Sequence, residues 1–183
     1  MKFLLNFSFS VLFVLGFFAN AEAQNRIRWM TWEEALAAHE KEPKKFVVDI
    51  YTKWCGWCKK MDKSTFQKDD IAKYVNNHFY AVKFNAETKE DIEFNGQTYK
   101  YVSKGRKGYH QLAVAITQGQ LSYPTVVFLD EKLNLIQPIP GFQDAQMFEM
   151  IMTYFADDHY MSTPWNVYTR QYQSNKNVQT VGN

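Results

Sequence analysis

Runs of apolar residues along the chain predict three buried strands. The segment 46–51 reads Phe-Val-Val-Asp-Ile-Tyr and is apolar except for Asp49, which is typical of a strand buried on both faces of a sheet. The segments 79–84 and 125–129 are also rich in apolar, β-branched and aromatic residues. We expect the strand at 46–51 to be central in the fold.

A second pattern, in which apolar residues recur every three or four positions, predicts helices. Thr31 and Glu34 have the spacing of a capping box at the start of the first helix, which we expect to end near residue 40, before Pro43. Further helices are expected at about 59–66, from 69 or 70 onward, at about 109–117 and at 144–155.

Turn residues connect the remaining segments. Asn95-Gly96 lies between two β-rich runs and predicts a two-residue hairpin. The basic, glycine-containing segment 104–108 is expected to be a loop that leads into the helix at 109–117. A hairpin partner for the strand at 125–129 is expected at 133–136.

The first residues are typical of a secretory signal. Lys2 precedes the apolar segment 3–18, and Ala21-Glu22-Ala23 matches the small-x-small pattern that signal peptidase cleaves, here before Gln24. An uncleaved membrane anchor is the alternative, although the apolar run is shorter than the roughly 20 residues that a span needs. We expect an exported protein with no stable membrane insertion after cleavage of residues 1–23.

The chain has no internal repeat and no linker that would divide it into several folded domains. We therefore expect a signal peptide at 1–23, one domain at 24–156 and a C-terminal tail at 157–183. The tail is predicted to be helical from about Thr163-Pro164 and disordered from Ser174 onward.

Composition and charge narrow the classes of function only slightly. Hydrophobic residues make up 46% of the 183 residues, which is enough for one domain with a substantial core. The formal net charge of +2 is small, so nothing in the composition indicates nucleic acid as a partner.

Cys55 and Cys58 are the only cysteines, and their spacing allows a redox pair, half of a metal site or a structural staple. Structural disulfides of exported proteins usually join distant segments, whereas this pair would close a loop too small to stabilise the fold much. A zinc site needs two more ligands, and the four histidines are scattered without the usual spacing. The sequence therefore favours redox chemistry, with neither a metal nor a cofactor.

The position of each cysteine predicts a different role. A strand that ends just before a helix places Cys55 in the first helical turn, where unpaired amides and the helix dipole favour a thiolate. Cys58, one turn further, is the predicted resolving thiol. We expect Asp49 to be buried, to have a raised pKa, and to accept the proton that Cys58 must lose.

Taken together, these residues resemble the thioredoxin-fold thiol-disulfide oxidoreductases. In that family a strand with a buried aspartate runs into Trp-Cys-x-x-Cys, which Asp49 and Trp54-Cys55-Gly56-Trp57-Cys58 match. The family's lysine beside the aspartate is matched by Lys83, and its cis-proline facing the cysteines by Tyr123-Pro124. Gly141 matches a glycine that precedes the last helix, so five elements occur in the family's order.

The resemblance implies an α/β fold of three layers, with a central mixed sheet and helices on both faces. It also implies an inserted hairpin and helix at about 88–121 and a helical C-terminal tail. The implied reaction is thiol-disulfide exchange with protein substrates in a bacterial periplasm, with Cys55 as nucleophile, Cys58 as resolving thiol, and Lys83 as the partner of Asp49. The implied substrate contacts are Trp54, Gly56, Trp57, Tyr123 and Pro124.

One departure from the family bears on the direction of exchange. Trp57 occupies the position between the cysteines where the family commonly has proline, a residue that helps to hold its reducing character. We expect reduction of substrates rather than oxidation, sustained by a donor of thiol electrons in the membrane. The alternative is a thioredoxin-fold binding module that has lost its redox role.

Overall fold

The computed structural model describes residues 26–105 and 107–181, with side chains up to residue 176. The strands among these residues are β1 (Trp29–Met30), β2 (Lys45–Tyr51), β3 (Phe79–Asn85), β4 (Ile92–Phe94), β5 (Gln97–Tyr99), β6 (Tyr101–Lys104), β7 (Lys107–His110), β8 (Thr125–Leu129) and β9 (Leu135–Pro140). The helices are α1 (Trp32–His39), α2 (Gly56–Met61), α3 (Asp69–His78), α4 (Gln111–Ile116), α5 (Ala145–Ala156) and α6 (Trp165–Val181). The predicted signal peptide at 1–23 lies outside the described residues.

The central sheet is mixed and has the strand order β1-β3-β2-β8-β9. β2 pairs in parallel with β3 and antiparallel with β8, which places Asp49 between Lys83 and Val126. The predicted partner of β8 is present as β9, which begins two residues later than expected and carries Pro138 and Pro140. Proline suits this position because β9 is an edge strand.

Helices cover both faces of the sheet, which confirms the three-layer α/β fold. Since side chains alternate along a strand, Phe46 and Val48 of β2 pack into one buried cluster and Val47 packs into the other. The first cluster includes residues of α1 and α4, and the second includes residues of α3 and α5. The prediction that β2 is buried on both faces is therefore correct, with Asp49 on the face of Val47.

The segment between β3 and β8 contains two hairpins, where the sequence predicted one. The hairpin of β4 and β5 turns through Asn95 and Gly96, both with positive φ, as a two-residue turn requires. The prediction of a basic loop at 104–108 is wrong, because β6 and β7 pair there as a second hairpin. Glycine at position 108 permits this pairing: a Cβ atom there would lie 2.0 Å from the Tyr101 hydroxyl oxygen.

The C-terminal tail is helical over a longer stretch than the sequence predicted. α6 runs to Val181, so the prediction of disorder from Ser174 is wrong for residues 174–181. Tyr168 of α6 is buried against Tyr154 of α5, and the Lys176 ammonium forms an ion pair with Glu149 at 2.5 Å. These contacts with α5 provide the stabilisation that a polar helix lacks by itself.

Within the described ranges, no helix combines the length and apolar character needed to cross a membrane.

Candidate active site

Four strand ends meet at one edge of the central sheet. The parallel strands β2 and β3 both end at this edge. The antiparallel strand β8 begins there, and its neighbour β9 ends there. The cysteines follow β2, Pro124 precedes β8, and Gly141 follows β9. The Gly141 amide donates to the Pro124 carbonyl at 2.8 Å, so the sheet register brings these distant segments together.

Cys55 and Cys58 form a disulfide at the start of α2. Cys55 is the N-cap of this helix, and the backbone amide of Cys58 donates to its Sγ atom at 3.0 Å. An N-cap side chain normally accepts from these amides through oxygen; here sulfur takes that place. An amide donor at a sulfur atom is the kind of contact that favours a thiolate over a thiol.

Two ring pairs, each made of an exposed tryptophan and a half-buried ring, lie beside the disulfide. The first is Trp54 and Tyr123, whose ring centroids are 5.9 Å apart in an edge-to-face arrangement, with Trp54 62% exposed. The Trp54 indole donates to a carboxylate oxygen of Glu87, just beyond β3, at 3.0 Å. The Tyr123–Pro124 peptide bond is cis, which confirms the predicted cis bond, while the contact of Pro124 with substrate stays a prediction.

The second ring pair is Trp57 and Phe142, with centroids 5.6 Å apart and Trp57 57% exposed. The Lys60 ammonium lies 4.6 Å from the centroid of the Trp57 ring and 5.1 Å from that of Phe142. Rings at this distance attract a cation through their negative faces. The two ring pairs therefore differ in the charge beside them. The pair of Trp54 and Tyr123 has the carboxylate of Glu87 next to it, and the pair of Trp57 and Phe142 has the ammonium of Lys60.

Asp49 is buried as predicted, with 1% of its surface exposed. Its Oδ2 atom accepts from the Lys83 ammonium at 2.5 Å, while its Oδ1 atom is buried without a hydrogen-bond partner among the described residues. Burial removes water from the Asp49 carboxylate and raises its pKa from 3.8 to about 6. The positive charge of Lys83 lowers this pKa and offsets only part of the effect, while the negative charge of Asp62 raises it. The carboxyl group can therefore take up and release a proton near neutral pH.

Lys83 contacts more than its predicted partner. Its ammonium also donates to Asp62, and it lies 4.9 Å, 5.2 Å and 5.4 Å from the ring centroids of Trp29, Tyr51 and Phe66. Burial by itself lowers the pKa of Lys83, but the two carboxylates outweigh that effect and the net shift is upward. Lys83 therefore remains a cation between two carboxylates.

The sequence did not single out Asp62, Glu87 or Phe142. Asp62 lies four residues after Cys58, a spacing that places two side chains on the same face of a helix and was available as a signal. Phe142 follows Gly141, which the sequence did single out, but Glu87 has no local pattern to mark it. Within the described part of the chain, no group of three or more His, Cys, Asp or Glu residues is placed to hold a metal ion.

Comparison with known proteins agrees with this geometry. Residues 16–163 match the model of the Thioredox_DsbH family, which is described as a protein of unknown function, DUF255. An uncharacterized protein of Caenorhabditis elegans is 25% identical over 123 residues, covering 57% of this chain. The chain spans only 17% of the length of that relative, so their likeness concerns one part of a larger protein.

Two solved structures share the fold. A thioredoxin-fold protein from Helicobacter pylori superposes with a TM-score of 0.56 at 19% identity, covering 77% of this chain and 87% of that one. A thioredoxin from Thermus thermophilus gives a TM-score of 0.53 at 18% identity, covering 70% and 86%. With the family match over most of its length, the chain belongs to the Thioredox_DsbH family and has the thioredoxin fold.

Proposed function

We propose that the protein reduces disulfides of other proteins in a bacterial periplasm, after export by its N-terminal signal. The observation that carries this proposal is the Cys55–Cys58 disulfide at the start of α2, together with a buried carboxyl group on the preceding strand β2 whose pKa is about 6. A structural disulfide needs no titratable group, whereas a thiol that must lose a proton on demand does.

The first step is attack by Cys55 on the substrate. The Cys55 thiolate forms a bond to one sulfur of the substrate disulfide, and the substrate S–S bond breaks. The other substrate sulfur leaves as a thiolate and takes a proton from water. The product is a mixed disulfide between Cys55 and the substrate.

The second step is resolution by Cys58. Asp49 accepts the proton from the Cys58 thiol, either directly or through water, and the Cys58 sulfur then attacks Cys55. The mixed disulfide breaks, and the second substrate sulfur leaves as a thiolate that takes a proton from water. Two electrons have then passed from the protein to the substrate. The protein is left with the Cys55–Cys58 disulfide and a protonated Asp49, which then releases its proton to water and regains the ion pair with Lys83.

The two ring pairs support polypeptides as substrates. Trp54 and Trp57 offer large exposed apolar surfaces on either side of the disulfide, which suit an extended chain on an open surface. Gly56 has no neighbour within 4 Å of the position that a side chain would take, so the surface beside Cys55 stays open. Tyr123 and Pro124 would hold the substrate backbone, and no cofactor is required.

The reduction of insulin by dithiothreitol tests this proposal. We expect the protein to accelerate the precipitation of reduced insulin chains, because exchange through Cys55 is faster than direct attack by the small thiol. A variant with both cysteines replaced by serine is the matched control and should give the uncatalysed rate. A wild-type protein that matches this variant would contradict the enzyme and favour a binding module.

The direction of exchange is tested by equilibration with glutathione buffers. We expect a reduction potential in the reducing range, nearer to about −270 mV than to about −120 mV, which are values typical of a reductase and of an oxidant. Such a potential would require a donor that re-reduces the protein, for which we propose a membrane protein that carries thiol electrons. A value near the oxidant's would reverse the proposed direction but leave the exchange reaction intact.

A further inference from the structure

We propose that Asp62 is a positioning residue for the exchange reaction. It shares the Lys83 ammonium with Asp49 and thereby keeps Asp49 able to accept the proton of Cys58. This inference rests on the proposed function above. It assigns a role to Asp62, which is not a member of the Asp49–Lys83 pair in the proposed mechanism.

The first support is that two carboxylates bind one cation. The Lys83 ammonium donates both to Oδ2 of Asp49 and to Oδ1 of Asp62. Asp62 lies at the end of α2, one helical turn beyond Cys58, and begins a π-helical turn over Asp62–Phe66. π-Helical turns within helices are often found at functional sites.

The second support is that the two carboxylates differ in their contact with water. The Asp62 side chain is 37% exposed, whereas that of Asp49 is 2% exposed. Water can reach the Asp62 carboxyl group, so its charge costs little desolvation. Asp49 has no such help and depends on Lys83 for the stability of its charged form.

The third support is that Lys83 is held in place by aromatic rings. Trp29, Tyr51 and Phe66 all lie within 5.4 Å of the ammonium, measured to their ring centroids. The attraction of the ammonium to these rings favours the position in which it contacts both carboxylates. The arrangement therefore divides one positive charge between a buried base and a solvated anion.

The effect on Asp49 follows from Coulomb's law. The charged groups around its carboxyl are Lys83 from β3, which stabilises the anion, and Asp62 from the end of α2, which opposes it. Val126 faces it from β8 and is apolar, and Cys58 of α2 is the source of the proton. Without Asp62, the whole Lys83 charge would act on Asp49, and its carboxylate would become a weaker base.

The reaction of the reduced protein with dithiobis-nitrobenzoate tests this inference. Attack by Cys55 releases one coloured thiolate, and resolution by Cys58 releases the second, so the two steps appear as separate phases. In Asp62→Asn we expect the first phase to be unchanged. The second phase should slow by about threefold to tenfold above neutral pH, and its pH midpoint should move to lower pH. Asp62→Glu should restore both the rate and the midpoint.

The control for loss of a charge is Glu33→Gln, on the exposed face of α1. It changes the net charge by the same amount and should leave both phases as in the wild type. An Asp62→Asn protein with the wild-type midpoint, or with both phases slowed equally, would overturn the role of Asp62. A wild-type protein with no second phase would instead overturn the proposed function on which the inference rests.

Discussion

Replacing Cys58 with serine is expected to leave the protein covalently joined to its substrates through Cys55. The mixed disulfide formed by Cys55 normally breaks when Cys58 attacks, and serine cannot perform that attack. Cys55→Ser should trap almost nothing, because Cys58 lies within α2 and lacks the N-cap position at which an amide donates to the Cys55 sulfur. Both variants should lose catalysed insulin reduction, since each lacks one of the two steps.

Trapping is measured by non-reducing electrophoresis and mass spectrometry after the variants meet a mixture of disulfide-bonded proteins. The adducts of Cys58→Ser should disappear on addition of dithiothreitol, and the double serine variant should form none. Equal trapping by the two single variants would contradict the assignment of Cys55 as nucleophile and Cys58 as resolving thiol.

The features that the sequence predicted correctly are those with a local or strictly ordered signal. The segment 46–51 of β2 is apolar at every position but Asp49, and that pattern predicted both the burial of the strand and the burial of Asp49. The capping box of Thr31 and Glu34 is present with both hydrogen bonds. The cis peptide bond before Pro124 followed from its place in the family's order of elements.

The features that the sequence did not predict depend on contacts between distant segments. Glu87 meets Trp54 across 33 positions of the chain, and nothing near Glu87 indicates this hydrogen bond. The hairpin of β6 and β7 depends on the close approach of the Tyr101 side chain to Gly108. The basic, glycine-containing composition of this segment predicted a loop instead. The polar sequence at the end of α6 predicted disorder, whereas contacts with α5 stabilise this helix.

The second large effect is expected for Asp49→Asn, which keeps the shape of the side chain but cannot accept a proton. A free thiol is only a few per cent thiolate near neutral pH, so the loss of its base should slow resolution by roughly tenfold to a hundredfold. Because the pKa of Asp49 is about 6, the wild-type resolution rate should rise with pH through that value as the carboxylate forms. The variant should lose this inflection and keep the first, Cys55-dependent phase, which serves as the internal control. An unchanged pH profile would remove Asp49 from the mechanism.

The same substitution should make the protein more stable at neutral pH. The folded-state pKa of Asp49, about 6, lies above its ordinary value of 3.8, so the folded protein binds the proton more tightly than the unfolded chain. This contribution to stability is fully present below about pH 4 and is lost as the pH rises through 6, a difference of about 3 kcal/mol. At about pH 7, Asp49→Asn should therefore unfold at a higher urea concentration than the wild type. The expected gain in the free energy of unfolding is at most that difference, reduced by the loss of the hydrogen bond to Lys83. Equal or lower stability of the variant at that pH would mean that the Lys83 pair offsets the cost of burying the carboxylate. Greater stability with slower resolution would show that the protein keeps a costly buried charge for its chemistry.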